Sequence, residues 1–145
     1  MKTVKKSAGK TIRKKRILIV DDDRTIKEMM SVLLTHCGYE VIEASYALPA
    51  LFRATRNAPD LILADLDMPI MNGLELIDQF KGHFDTQDIP ILVVTGSNSE
   101  KSRREAFEAG CSGYVTKPIQ VPEFLAQIEE ILQDKGRAKS KNPHP

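Results

Sequence analysis

Three short runs of consecutive apolar residues, each followed at once by a polar side chain, constrain the fold of this chain more than any other feature. The runs are residues 17–20, 61–64 and 91–94. The polar residues that follow them are Asp21, Asp65 and Thr95. Apolar runs of this length are typical of strands that are buried on both faces, as in a parallel sheet. Because the carboxyl ends of parallel strands share one edge, the sequence predicts polar side chains gathered along that edge.

The segments between these runs have the periodicity of helices. Apolar residues that recur every three or four positions give each segment one face toward a core, and Gly38 is suited to end the first helix. Pro49 has to lie in the first turn of the second helix, which is therefore expected to start late. The predicted helices cover residues 26–37, 47–55, 74–80, 98–109 and 121–131, and the predicted strands cover residues 16–20, 39–44, 61–64, 89–95 and 112–116. This alternation predicts the α/β class, with a doubly wound parallel sheet and right-handed crossovers.

The net charge of +1 conceals two oppositely charged parts. All 20 acidic residues lie between residues 17 and 134, whereas residues 1–16 carry eight Lys or Arg residues and no acid. We predict a flexible basic arm over residues 1–15, a folded domain over residues 16–134 and a flexible tail over residues 135–145. An arm of this kind is either a solvated tail or a tether to nucleic acid or anionic lipid, since such affinity is mostly electrostatic.

Neither membrane insertion nor secretion is indicated. No apolar run approaches the ~20 residues that a membrane-spanning helix needs. The basic amino terminus lacks the apolar segment of a signal peptide. Cys37 and Cys111 match no spacing typical of a zinc or redox site, so both are interpreted as packing residues. We expect a cytoplasmic protein.

Polar groups with complementary chemistry follow four of the predicted strands. They are Asp21, Asp22 and Asp23 after the first strand, Asp65 and Asp67 after the third, Thr95 at the end of the fourth, and Lys117 after the fifth. Carboxylates crowded at one edge repel each other, and burial raises their pKa values unless a cation is bound among them. Oxygen ligands of this kind suit Mg²⁺. A carboxylate nucleophile beside Mg²⁺, a lysine and a threonine hydroxyl is a set of groups suited to phosphoryl transfer.

Four stretches of the sequence resemble the receiver domain of two-component response regulators. They are residues 19–22 (Ile-Val-Asp-Asp), residues 63–69 (Leu-Ala-Asp-Leu-Asp-Met-Pro) with Asn72 and Gly73, residues 93–96 (Val-Val-Thr-Gly) and residues 113–118 (Gly-Tyr-Val-Thr-Lys-Pro). The resemblance covers about residues 16–134. It implies a flavodoxin-like (βα)5 fold with the strand order 2-1-3-4-5.

The same resemblance implies a role for each polar residue at this edge. The implied phosphoacceptor is Asp65. The implied Mg²⁺ ligands are the side chains of Asp21, Asp22 and Asp65 and the backbone carbonyl of Asp67. The implied phosphate-binding and switch residues are Thr95, Gly96, Tyr114 and Lys117.

A switch follows from these implied roles. A phosphoryl group on Asp65 would draw the Thr95 hydroxyl inward, and Tyr114 would then favour an inward rotamer. The predicted helix over residues 98–109 has few apolar anchors, so it is the candidate for the part that moves. Its anchors are Ala106, Phe107 and Ala109.

From these observations we expect a stand-alone response regulator receiver, which is a signalling phosphoacceptor rather than a turnover enzyme. It would accept a phosphoryl group on Asp65 from a histidine kinase or a histidine phosphotransfer protein. It would then present to a downstream protein target a changed surface, built by the helix over residues 98–109, the last strand and the last helix. Two alternatives remain open. Asp65 and Asp67 also resemble the DxD motif of haloacid-dehalogenase-type phosphohydrolases, although the acidic pair here precedes the lysine. The basic arm is compatible with a nucleic-acid- or membrane-binding adaptor.

Overall fold

The structure is a computed structural model that describes the backbone of residues 13–141 and the side chains of residues 13–134. The elements are β1 (Arg16–Val20), α1 (Arg24–His36), β2 (Glu40–Ala44), α2 (Ala47–Asn57), β3 (Leu61–Ala64), α3 (Gly73–Lys81), β4 (Ile91–Thr95), α4 (Glu100–Ala109), β5 (Gly113–Thr116) and α5 (Val121–Lys141). The predicted alternation of strand and helix is confirmed. None of the helices described here combines the length and the apolar content needed to cross a membrane.

The five strands form one parallel sheet in the order β2-β1-β3-β4-β5. The expected strand order 2-1-3-4-5 and the α/β class are therefore confirmed. In the register of β1 and β3, Val20 pairs with Ala64. The next residues, Asp21 and Asp65, leave the sheet side by side at its carboxyl edge.

Helices cover both faces of the sheet and bury two separate apolar clusters. Alternate strand residues point to opposite faces. Leu18 and Ile62 lie in the cluster beneath α2, α3 and α4, whereas Ile17 and Leu61 lie in the cluster beneath α1 and α5. All four side chains are fully buried, and burial of each contributes about 1.5–3 kcal/mol. The sheet is therefore a rigid support for the residues at its carboxyl edge.

Prolines lie near the starts of two elements, and only one of them delays its element. α2 begins at Ala47, so the prediction that Pro49 delays this helix is wrong. Pro49 lies in the first turn of α2, where a backbone N–H would have no partner within the helix. β4 begins at Ile91, two residues later than predicted. Pro90 has no N–H to donate, and its carbonyl instead accepts a hydrogen bond from the Ile62 N–H at 3.0 Å.

The chain outside the predicted domain is only partly described. Residues 1–12 and 142–145 lie outside the described residues. At the end of the predicted basic arm, Arg13 forms an ion pair with Asp60 at 3.2 Å. α5 continues to Lys141, so the predicted domain end at residue 134 falls inside this helix.

The two cysteines occupy different environments. Cys37 is the C-cap of α1 and is exposed, so its interpretation as a packing residue is wrong. Cys111 lies between α4 and β5 and is buried, as predicted. Burial raises the pKa of the Cys111 thiol to about 11.

We expect a thiol reagent to label Cys37 much faster than Cys111 in mildly alkaline buffer. The rise in the pKa of Cys111 from 9.0 to about 11 lowers its thiolate fraction about a hundredfold. Labelling followed by mass spectrometry measures both rates, and Cys37→Ser leaves Cys111 as the single thiol. The two rates should converge in urea. Equal rates in the folded protein would contradict the buried placement of Cys111.

Candidate functional site

Three aspartates meet at the carboxyl edge of the sheet, as the sequence predicts. Asp21 and Asp22 follow β1, Asp65 follows β3, and ligand oxygens of the three carboxylates lie within 4.8 Å of one another. Only 1% of Asp21 and 6% of Asp65 is exposed, whereas Asp22 faces solvent. The Asp65 N–H donates to the Val20 carbonyl at 3.1 Å. The Asp21 N–H donates to the Ala44 carbonyl at 3.2 Å. The sheet itself therefore fixes the two buried aspartates.

Lys117 supplies the positive charge in this cluster. Its backbone N–H donates to the Thr95 carbonyl at 2.7 Å, which places it just beyond the carboxyl ends of β4 and β5. Its ammonium lies 2.9 Å from Asp21 Oδ2 and 3.5 Å from Asp65 Oδ2. Burial lowers the pKa of Lys117, but the hydrogen bond with Asp21 and the charge of Asp65 outweigh this effect and raise the pKa above its ordinary value. Lys117 is therefore a fixed cation at neutral pH.

The environment of Asp65 disfavours the ionised form of its carboxyl group. Burial raises the pKa of Asp65, and the nearby charge of Asp21 raises it further. The Asp67 N–H, which donates to Asp65 Oδ1 at 3.2 Å, and the Lys117 ammonium lower this pKa but do not offset the burial. A divalent cation would stabilise the charged form. Hard oxygen donors at this spacing suit Mg²⁺, so these residues fit the predicted metal.

The Asp67 side chain makes a contact that the sequence did not predict. Thr95 is fully buried, and its hydroxyl donates to Asp67 Oδ2 at 3.3 Å. The carboxylate of Asp67 therefore already engages the predicted switch threonine. Next to Thr95, Gly96 is exposed, and a Cβ placed there would meet no atom within 4 Å. The edge of the sheet is open to an incoming group beside Gly96.

Tyr114, the second predicted switch residue, lies inward on the edge strand β5. Only 6% of it is exposed, and its ring packs in the cluster beneath α2, α3 and α4. Its hydroxyl donates to the Ser97 carbonyl at 2.8 Å, which joins β5 to the loop before α4. Ser99 caps α4, and Ala106 is the single buried residue of that helix. The weak anchoring that the sequence predicts for α4 is therefore confirmed.

Lys27 is a residue of this site that the sequence reasoning missed. It is only 8% exposed, and its ammonium donates to the Asp21 carbonyl at 3.3 Å and to Ser45 Oγ at 2.5 Å. It therefore fixes the loop that carries the acidic pair. Lys27 lies on the buried face of α1 with Met30 and Leu34, and this helical spacing is the signal that could have identified it.

Comparison with known proteins points to one family. Residues 17–129 match the family described as response regulator receiver domain. The phosphate regulon transcriptional regulatory protein PhoB of Pseudomonas aeruginosa is 37% identical over 129 residues, which are 89% of this chain and 56% of that protein. The response regulator MprA of Mycobacterium leprae is 38% identical over 118 residues, which are 81% of this chain and 51% of that protein. This chain thus spans about half the length of each of these two curated relatives.

A solved structure gives the same result. The crystal structure of a CheY-like response regulator receiver domain protein from Methanospirillum hungatei superposes with a TM-score of 0.81 at 31% identity. The superposition covers 86% of this chain and 98% of that chain. The similarity therefore extends over nearly all of that chain.

Proposed function

This chain belongs to the response regulator receiver domain family, and we propose that Asp65 is its phosphoacceptor. Members of this family are signalling phosphoacceptors and take phosphate from histidine kinases. The position of the Asp65 carboxylate supports the assignment most directly. It is buried at the end of β3, 3.5 Å from the Lys117 ammonium, and within 4.8 Å of carboxylate oxygens of Asp21 and Asp22.

In the proposed reaction, a carboxylate oxygen of Asp65 attacks the phosphorus of a phosphohistidine. A P–O bond forms, the P–N bond breaks, and its electron pair returns to the imidazole nitrogen. The Lys117 ammonium offsets negative charge on the phosphoryl oxygens. The residues that would hold Mg²⁺ are Asp21, Asp22 and Asp65, through their side chains, and Asp67, through its backbone carbonyl. When bound, Mg²⁺ supplies a Lewis acid that offsets the same charge.

The acyl phosphate then acts on the switch residues. The Thr95 hydroxyl donates to Asp67 Oδ2 at 3.3 Å, and phosphoryl oxygens are strong competing acceptors. Phosphorylation is therefore expected to move this hydroxyl from Asp67 to the phosphoryl group. Because α4 has only one buried residue, it is the helix most easily displaced by that change. The surface formed by α4, β5 and α5 is the one presented to a downstream protein target.

The proposed phosphodonor is a histidine kinase or a histidine phosphotransfer protein, whose phosphohistidine would approach at the open edge beside Gly96.

Both cysteines are free thiols, which suits the proposed cytoplasmic location because the cytoplasm keeps thiols reduced. The phosphohydrolase alternative has no support from the family match. Binding of nucleic acid or membranes by the basic arm stays a prediction, because residues 1–12 lie outside the described residues.

Incubation of the full chain with Mg²⁺ and acetyl phosphate, a small acyl phosphate, is expected to phosphorylate the wild-type protein but not Asp65→Asn. The amide that replaces the carboxylate is not a nucleophile for phosphorus. Intact-mass spectrometry measures the gain of a phosphoryl group. Asp85→Asn alters an exposed loop carboxylate and should be phosphorylated like the wild type. A phosphoryl group on Asp65→Asn, or none on the wild type, would contradict the assignment.

A further inference from the structure

We propose that Arg103 is a positioning residue for Tyr114, and that its guanidinium holds the phenol ring in the inward position. The inference rests on the proposed function, because it concerns how readily the switch responds to the acyl phosphate. Under this proposal, a single exposed residue of α4 helps to set the position of the Tyr114 side chain on β5.

The guanidinium of Arg103 contacts two aromatic rings. Its Cζ lies 5.6 Å from the centroid of the Tyr114 ring and 5.4 Å from the centroid of the Phe107 ring. Both distances are within the range of about 6 Å for cation–π attraction. Arg103 and Phe107 are one turn apart on α4, whereas Tyr114 belongs to β5. The guanidinium therefore bridges the helix and the strand.

Within the part of the chain whose side chains are described, no ion pair between two residues includes Arg103. The positive charge of Arg103 lowers the pKa of the Cys111 thiol, but it only partly offsets the rise that burial causes. An arginine without a carboxylate partner, placed against two rings, is oriented by those rings. A planar guanidinium can lie flat on a ring, and an ammonium cannot.

Besides the burial of its ring in the apolar cluster beneath α2, α3 and α4, two specific contacts hold Tyr114 in the inward position. Its hydroxyl donates to the Ser97 carbonyl at 2.8 Å, and its ring lies against the Arg103 guanidinium. Outward rotation of the ring would break both contacts, whereas Arg103 would keep its contact with Phe107. α4 itself gives little further support, since Ala106 is its single buried residue. Removal of the guanidinium should therefore change the ratio of inward to outward rings.

The test needs a reporter on the Tyr114 ring. The chain contains three tyrosines, so Tyr39→Phe with Tyr46→Phe leaves Tyr114 as the single one. Full-length protein of this background, labelled with 3-fluorotyrosine, reports ring burial through its ¹⁹F shift and the sensitivity of that shift to D₂O. We expect Arg103→Ala to lower the inward-to-outward ratio about two- to fivefold, which is the effect of losing one exposed cation–π contact. Arg103→Lys should lower it by less.

Arg104→Ala is the matched control, because Arg104 is the exposed neighbour of Arg103 and makes no ring contact among the described residues. The ratio of inward to outward Tyr114 rings in this variant should equal that in the parent protein, which carries only Tyr39→Phe and Tyr46→Phe. An unchanged ratio in Arg103→Ala, or an equal loss in Arg104→Ala, would overturn the proposal. Mg²⁺ with beryllofluoride, added to every variant, tests the switch separately. A ring that never responds to beryllofluoride would refute the proposed switch but leave an observed effect of Arg103 standing.

Discussion

Replacing Lys117 with methionine is expected to lower the free energy of unfolding by about 3 kcal/mol in magnesium-free buffer at neutral pH. The side chains of Asp21 and Asp65 are only 2% and 7% exposed, and the Lys117 side chain, whose ammonium they share, is 15% exposed. Without it, two buried carboxylates face each other with no positive charge between them. The pKa of Asp65, already raised by burial, should rise further.

At neutral pH the full contribution of the Lys117 ammonium to stability is present, so the variant should show the whole loss there. The pairing raises the pKa of Lys117 above that of an unfolded lysine. The stabilisation is therefore fully present at any pH below the pKa that Lys117 has in the unfolded chain. It is lost only as the pH rises through the higher pKa that Lys117 has in the folded protein, in strongly alkaline solution. Urea denaturation at neutral pH measures the whole effect.

Mg²⁺ should restore part of the stability of Lys117→Met, because a ligand that binds only the folded state raises the free energy of unfolding with its concentration. The variant should also bind Mg²⁺ more tightly than the wild type, since no ammonium competes for the aspartates. Lys101→Met, at an exposed position of α4, is the control and should change stability by less than about 0.5 kcal/mol. Equal losses in the two lysine variants would show that the ion pairs of Lys117 do not stabilise the fold.

The convergence of the acidic residues could be predicted because a strand buried on both faces has no place for an unpaired carboxylate. A polar residue that ends an apolar run therefore marks where the strand leaves the core, as at Asp21 and Asp65. Parallel alternation then places these ends at one edge. The strand order could be predicted only from the family resemblance, because the alternation of strands and helices does not specify which strands are neighbours in the sheet.

The directions of the polar side chains could not be predicted in the same way. The hydrogen bond between Thr95 and Asp67 joins residues 28 positions apart, and the one between Tyr114 and Ser97 joins residues 17 positions apart. Helical and strand periodicities relate residues only within one element. Rotamers at this edge depend on which loops meet there, and that is a property of the tertiary structure. The contacts of Asp67 therefore emerged only from the structure.

Gly73→Ala is expected to destabilise the protein by about 3 kcal/mol, at the upper end of the usual range for overpacking. Gly73 is the first residue of α3, and its N–H donates to the Leu66 carbonyl at 2.9 Å. A Cβ on Gly73 would lie 2.5 Å from the Asp65 carbonyl oxygen and 2.5 Å from Leu66 Cα. Both are backbone atoms that cannot rotate away, so α3 and the loop after β3 would have to separate.

The same displacement should slow phosphorylation. The segment that the methyl group would push is the one that holds the Asp65 carboxylate near Lys117 and the acidic pair. A shift of about 1 Å in a reacting group can lower a rate about a hundredfold, so Gly73→Ala should accept phosphate from acetyl phosphate far more slowly than the wild type. Gly96→Ala is the stability control, because its Cβ would meet no atom within 4 Å. If both glycine variants unfolded at the same urea concentration, the close packing of α3 against the Asp65 backbone would be contradicted. A slower phosphorylation of Gly73→Ala would then need another cause.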